Sequence, residues 1–390
     1  MTDKGKRAHF KTMTEIPVTR PLLPGVSKLF PGLKRAFASG MVTNAGNDRR
    51  FEQAVAAHCG VKEAVAVSSC TSGLVLTLRC LGVQGAALLP SYTFFATGHA
   101  CLWNGLTPVF AEISEDSWTI DPRQVEPWLA DFQSKILNPR SEISVLVGVH
   151  LFGNPCHVEA LERIATKHKL KLVFDSAHGM GALHKGKPLG AWGDAEVFSL
   201  SPTKLLCSGE GGMVTTDDRV LARMLRAARD YGNTGDYDPA FAGLNARMSE
   251  LHAILGYESL KLLEKNARRR QALVGLYKEK LGGLPGLSFQ KVAPYDRCSY
   301  KDFTVTIDPE AFGTSRDEVQ RKLAREGIAT RRYYYPPVHR IKAYRPWAGL
   351  QGALPVTDRV SRTALSLPLF HDLSDSSVLR VCRAIRELGG

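Results

Sequence analysis

Leu172-Val173-Phe174-Asp175-Ser176-Ala177-His178-Gly179 decides how the rest of this chain is read. An apolar run of strand length stops abruptly at a carboxylate, and small residues, a histidine and a glycine follow. Such a run reads as a buried strand with chemistry at its carboxyl end. Working outward, Val145-Leu146-Val147-Gly148-Val149 is a second strand. Val158 to Lys169 lies between them as an amphipathic helix, with Leu161, Ile164 and Ala165 at helical spacing and Lys167 and Lys169 turned outward. Further upstream, Ala64–Val67, Ala86–Pro90 and Pro108–Ala111 repeat the pattern. Helices are expected from Leu74 to Leu81 and after Thr97. Short apolar strands alternating with helices predict an α/β fold with a mostly parallel sheet covered on both faces. Ser69, Ser91, His150 and Asp175 all fall at its carboxyl edge, where ligands of such sheets sit.

After about residue 250 the pattern changes. Leu251 to Lys265 reads as one long helix, which Asn266 to Leu281 continues. Lys301 to Ile307 alternates as a half-buried strand. Ser315 to Glu326 and Ser376 to Leu388 read as helices. The expected division is a flexible tail over 1–15, a large lobe over 16–255 and a smaller α+β C-terminal lobe over 256–390.

Composition bounds the function. The 390 residues are 44% hydrophobic and 23% charged, as in a soluble globular protein. No run approaches the roughly 18 apolar residues of a membrane span, and the basic N-terminus has no apolar stretch behind it. The net charge of +13 is dispersed, without a basic region interleaved with stacking aromatics. It favours an anionic small molecule over nucleic acid. The eight cysteines form no CxxC pair, so neither a metal site nor a disulfide framework is expected. Reduced thiols fit a cytoplasmic protein.

The second informative stretch is Phe198-Ser199-Leu200-Ser201-Pro202-Thr203-Lys204-Leu205-Leu206-Cys207-Ser208-Gly209-Glu210-Gly211-Gly212. Lys204 stands in a loop rich in hydroxyls and flanked by glycines, downstream of Asp175. A lone lysine is ordinarily a solvated surface residue; its neighbours change that. Together they match the needs of pyridoxal 5′-phosphate (PLP). Lys204 would form the Schiff base, and Asp175 would pair with the pyridinium nitrogen. As an alternative, Asp175 is a helix cap. His178 can reach the phenolic side of the cofactor, or it is a satisfied interface histidine. Ser68-Ser69-Cys70-Thr71-Ser72-Gly73, between a strand and a helix, is either a phosphate site or a plain N-cap. No GxxxxGK[ST] pattern occurs. In Pro90–Thr97, an aromatic at the sheet edge can stack on a pyridine ring. Core packing is the competing reading for one of Phe94 and Phe95, but not both.

In this order the pieces resemble the DegT-type sugar aminotransferases, a family of PLP enzymes of fold type I, the aspartate aminotransferase-like fold. The resemblance runs from about Ile16 to the C-terminus. Its marks include Val42-Thr43-Asn44 with Phe51-Glu52, the loop Ser69 to Ser72, Pro90 to Phe94 and His150 to Pro155. They continue with Asp175 to His178, Phe198 to Lys204, Gly209 to Gly212, Gly243 to Glu250 and Leu365 to Leu369. It implies Lys204 as Schiff-base lysine and proton shuttle, with Asp175 on the ring nitrogen and His178 near the ring hydroxyl. Phe94 would stack on the ring, and Thr71, Ser72 and Ser199 would hold the phosphate. Asn245 would reach the phosphate of a neighbouring subunit, so a homodimer is implied. The loop departs from the family's Gly-Thr-(Ala/Asp/Ser)-Ala, reading Cys70-Thr71-Ser72-Gly73. Some relatives carry His at the lysine position and are dehydratases; Lys204 favours transamination.

Within the family, Ile16 to Pro21 and Arg331-Arg332-Tyr333-Tyr334-Tyr335-Pro336-Pro337-Val338-His339 resemble members that aminate C4 of a dTDP-4-keto-6-deoxyhexose, the dTDP-4-amino-4,6-dideoxyglucose transaminases. The implied partners are a nucleotide-linked keto sugar and L-glutamate or glutamine. Arg331 or Arg332 would clamp a diphosphate or the donor carboxylate, and Tyr335 or His339 would touch sugar hydroxyls. The alternatives are C3-amination, amination of a keto-cyclitol, a PLP-dependent dehydratase and, outside enzymes, a binding or regulatory protein on the same fold.

Overall fold

The computed structural model describes residues 15–135, 142–236, 238–350 and 352–389. The tail expected over 1–15 therefore lies outside the described residues, apart from Glu15. The centre is a seven-stranded sheet. Its strands are β1 (Glu63–Val67), β2 (Ala86–Pro90), β3 (Thr107–Ala111), β4 (Ile143–Val149), β5 (Lys171–Asp175), β6 (Ala195–Ser199) and β7 (Gly212–Thr216). They lie in the order β1-β7-β6-β5-β4-β2-β3. The pairs from β3 across to β6 are parallel, and β7 runs antiparallel to both its neighbours.

Side-chain alternation explains why the strands read as continuous apolar runs. Val173 packs with Val65, Leu74, Val147 and Val197 on one face. Leu172 and Phe174 pack with Leu146, Leu161 and Ile164 on the other. A sheet covered on both faces needs apolar residues in both registers. The helix Val158–His168 turns its buried positions Val158, Leu161, Ile164 and Ala165 to the sheet, as its spacing predicts.

Register levels the carboxyl edge. Val149 pairs with Asp175, Asp175 with Val197, and Gly212 with both Ser199 and Val67. The residues that leave these strand ends, His150, Ser176 and Leu200, and those that follow β1, therefore emerge side by side.

Two buried carboxylates brace the edge strand and its helix. Glu250 accepts from the amides of Ala45 (2.9 Å), Asn47 (2.8 Å) and Asp48 (3.0 Å), capping the helix Gly46–Cys59. Glu52 accepts from the Ala66 amide of β1 (2.9 Å) and pairs with Arg229 (2.5 Å).

The rest of the chain builds a smaller lobe on an antiparallel sheet of β8 (Leu287–Phe289), β9 (Phe303–Ile307) and β10 (Ala364–Leu367). Its core takes Leu273, Tyr277, Val305, Leu323, Leu365 and Val381, and also Ile16 from the start of the chain. The Ile16 amide donates to the Gly327 carbonyl at 2.8 Å. The single helix expected from Leu251 onward is two, Glu250–Leu260 and Leu263–Leu281. Residues 255 and 256 both fall inside the first. The second starts where the Asn266 amide group donates to the Leu205 carbonyl (3.0 Å), which ties its first turn to the loop of Lys204. No helix among the described residues is long and apolar enough to cross a membrane.

Candidate active site

A cavity of about 310 Å³ opens at the levelled carboxyl edge. Asp175 closes β5 and enters it, only 5% exposed. Its Oδ2 accepts from the Thr97 hydroxyl at 2.7 Å and its Oδ1 from the Ala177 amide at 3.1 Å. Burial pushes this carboxyl up, while those two hydrogen bonds and the charges of Lys204 and His150 oppose the shift. A buried carboxylate held this way is suited to a cationic partner in the cavity.

Lys204 ends the turn that begins at Ser201, with its amide donating to the Ser201 carbonyl (3.0 Å). Leu205 and Leu206 are buried and anchor the loop beneath it. No ion pair forms at Lys204 among the described residues. Loss of water, reinforced by the neighbouring Lys301, pushes its amine down to about 8. Asp302, Cys70 and Asp175 pull the other way. A depressed lysine is a nucleophile near neutral pH.

His178 lies over the same cavity, buried. Its Nδ1 accepts from the Phe152 amide at 3.1 Å, which leaves Nε2 as the protonated, donating nitrogen. Burial, then Lys204 and Lys301, hold it well below the usual histidine range, so it is neutral. Its ring stacks on Phe152 at 10° between planes.

The opposite wall is the start of the helix Cys70–Cys80. Ser69 caps it. The Ser72 amide donates to Ser69 Oγ and the Ser69 amide to Ser72 Oγ, each at 3.0 Å. The Ser72 hydroxyl is thus engaged in the cap, while Cys70 and Thr71 line the cavity with Ser199 and Ser201. Amides of the first helical turn have no intrahelical acceptor, and with these hydroxyls they suit a phosphate. Gly212 makes this wall possible. A Cβ there would lie 2.5 Å from the Ser69 carbonyl carbon and 2.6 Å from the Cys70 nitrogen.

Phe94 and Phe95 both remain out of the core, 44% and 42% exposed, with ring centroids 3.9 Å apart. That corrects the expectation that one of them packs inside; Tyr92, at 1%, fills that place. Phe94 lines the cavity. Asn245 is exposed and sits outside the lining, its backbone bridged to Asp230.

Arg331, Arg332, Tyr335 and His339 do not line the cavity either. Arg331 is exposed, and its backbone pairs with Ser366. Arg332 stands 3.6 Å from Asp317 and over the Tyr335 ring. His339 Nδ1 meets the Ser91 hydroxyl at 2.5 Å. In their place stand Lys301, Tyr333 and Tyr334. Tyr333 and Tyr334 belong to the aromatic run already marked in the sequence. Lys301 had a weaker signal, as the first residue of the alternating run Lys301 to Ile307, whose strand starts at Phe303 in the structure.

These residues fit PLP: a buried carboxylate for the ring nitrogen, a depressed amine for the aldehyde and a helix start for the phosphate. Fold and cavity together define a PLP-dependent aminotransferase of fold type I. Residues 27–386 match the DegT/DnrJ/EryC1/StrS aminotransferase family, and the chain belongs to it. The "dTDP-4-amino-4,6-dideoxy-D-glucose transaminase" of Escherichia coli is 30% identical over 376 residues, covering 95% of this chain and 98% of its own. The "dTDP-3-amino-3,4,6-trideoxy-alpha-D-glucose transaminase" of Streptomyces venezuelae is 37% identical over 340 residues, covering 86% of each. Among solved structures, DesI "in the presence of its TDP-sugar product" superposes with a TM-score of 0.88 at 37% identity, over 96% of this chain and 92% of that one.

Proposed function

We propose that this chain transfers an amino group from L-glutamate or L-glutamine to a nucleotide-linked keto-deoxysugar, at C4 of dTDP-4-keto-6-deoxyglucose. The observation that carries the reading is one cavity that holds the Lys204 amine, with no ion pair among the described residues, together with the buried Asp175. Bound PLP supplies an electrophilic aldehyde and a cationic ring that accepts the electron pair released when the amino carbon loses its proton.

The chain's own groups do the rest. Asp175, oriented by Thr97 and Ala177, would keep a proton on the ring nitrogen through its carboxylate. His178 would donate from Nε2 to the ring oxygen. Cys70, Thr71, Ser199 and Ser201 would hold the phosphate, and Phe94 would cover the ring face. With PLP bound, Lys204 would hold its aldehyde carbon and yield that place to the donor amine. Its Nζ would then be the group placed to take up and return the proton of the donor carbon. Asn245, exposed on one protomer, reaches the phosphate of its partner in a homodimer. The free thiols of all eight cysteines fit a reducing compartment such as the cytoplasm.

A second reading, amination at C3, has support in the Streptomyces venezuelae relative, whose name places its amino group there. Incubation with glutamate and a panel of 3-keto and 4-keto nucleotide sugars, followed by mass and NMR analysis of the product, decides between them. A product aminated at C4 supports the proposal. One aminated only at C3, or no aminated sugar at all, refutes it.

A further inference from the structure

Lys301 reaches the cavity from the smaller lobe, two residues before β9. Its backbone is fixed from two sides: the amide donates to the Phe152 carbonyl at 2.9 Å, and its carbonyl accepts from Arg270 Nη1 at 3.0 Å. Its side chain is 5% exposed, and Nζ holds both Asp302 oxygens, at 3.0 and 2.9 Å. Asp302 itself does not line the cavity. The ammonium also lies 5.3 Å from the Tyr333 ring centroid.

Among the described cavity-lining residues, Lys204 and Lys301 are the only lysines or arginines. Lys204 has to be uncharged to react, which leaves Lys301, ion-paired with Asp302, as the cation of the lining. A buried ammonium facing a cavity with one counter-ion behind it still has a donor to offer a second carboxylate. The two substrates of a transaminase acting on sugars differ in this respect. The amino-acid donor carries its α-carboxylate on the reacting carbon, whereas the keto sugar has no anionic group on the carbons beside its ketone.

We propose that Lys301 is the donor-carboxylate residue: it binds a carboxylate of the incoming amino acid and of the oxo acid that leaves, and takes no comparable part in binding the sugar. The inference rests on the aminotransferase reading and assigns to Lys301 the carboxylate clamp that the sequence suggested for Arg331 or Arg332. A phosphate-binding role fits less well. The Phe152 carbonyl accepts from the Lys301 amide and the Phe152 amide donates to His178 Nδ1, so Lys301 enters the cavity beside His178, whereas the phosphate site is the start of the helix Cys70–Cys80.

The test uses the holoenzyme and Lys301→Met, Lys301→Arg and the double variant Lys301→Met/Asp302→Asn, which leaves no unpaired buried charge. Stopped-flow spectra give the half-reaction with L-glutamate. Calorimetry gives the affinity for glutarate, a dicarboxylate without an amine. A third arm measures transfer from the aminated enzyme to a keto sugar. Loss of a charge-assisted hydrogen bond weakens binding roughly 10- to 100-fold. That loss is expected for glutamate and glutarate in both Met variants, with partial recovery in Lys301→Arg. PLP retention and the sugar half-reaction should change less than about threefold by the same scale. Equal losses in both half-reactions, unchanged glutarate affinity or a parallel loss of PLP overturns the assignment. The glutamate and glutarate arms need no sugar, so failure of every keto sugar sinks the substrate proposal and leaves this one decided.

Discussion

The Thr97 hydroxyl donates to Asp175 Oδ2 at 2.7 Å, so the helix Phe95–Trp103 orients the carboxylate at the end of β5. This bond favours the ionised acid against a burial that opposes it. Thr97→Val removes it and moves the Asp175 pKa further up. We expect PLP to be held roughly 10-fold more weakly, while Thr97→Ser stays near wild type. Fluorescence titration of the apo-protein with PLP measures both. Asp175→Ala should lower turnover by about a thousandfold or more, since nothing then keeps the ring nitrogen protonated.

Lys204 sets a pH dependence whose sign is fixed. Its folded pKa of about 8 lies below the free value of 10.5. About a tenth of the amine is therefore neutral at pH 7 and most of it at pH 9. Capture of PLP by the apo-protein should speed up with pH through a midpoint near 8. For stability, the cost of a charged Lys204 is present below about 8 and fades as pH rises toward 10.5. Lys204→Ala should show no imine band in the visible spectrum at any pH.

Gly212 tests how β7 meets the helix start. Its missing Cβ would collide with backbone atoms of Ser69 and Cys70, which cannot turn away. Gly212→Ala should cost about 2 kcal/mol or more by urea denaturation and weaken PLP binding as well. Gly275 is the contrast. It is exposed in the helix Leu263–Leu281 with nothing within 4 Å of its Cβ position. Gly275→Ala should stabilise the fold by about 0.5–1 kcal/mol.

The proposed sharing of Asn245 between protomers predicts complementation. Asn245→Ala and Lys204→Ala should each be inactive or nearly so as pure proteins. Mixed by unfolding and refolding together, they should regain about a quarter of wild-type activity, the share of sites with both residues intact in random dimers. No recovery would place Asn245 outside the neighbouring site.

Four of the parallel strands, β2 to β5, were legible because burial on both faces leaves a continuous apolar run, and Asp175 was legible because it ends one; β6, interrupted by Glu196, was not legible as a strand. β7 was not: it starts inside the run Gly209–Gly212, whose glycines read as a loop. The helix expected from Leu251 ran through Lys261 and Leu262 because its composition gives no sign of the break. Just past that break, Asn266 is bonded to the Leu205 carbonyl, a tertiary contact the composition does not reveal. Lys301 was passed over for a related reason. It reads as the first residue of a half-buried alternating strand, and its turn inward goes with a bond from its amide to the Phe152 carbonyl, far away in sequence. Arg331 and Arg332 had the more conspicuous charge, but their backbone leads them to the outside.

The bond between Asn266 and Leu205 has a further consequence. The loop that presents Lys204 is clamped by a helix lying downstream of the sheet. A fragment ending at residue 255 would keep all seven strands yet release that clamp and lose Lys301. Recombining halves of such chains to obtain new specificities would succeed or fail at this joint. A donor half that brings its own Asn266 counterpart must find the same carbonyl waiting, or the graft will have an intact scaffold with its reactive arm adrift.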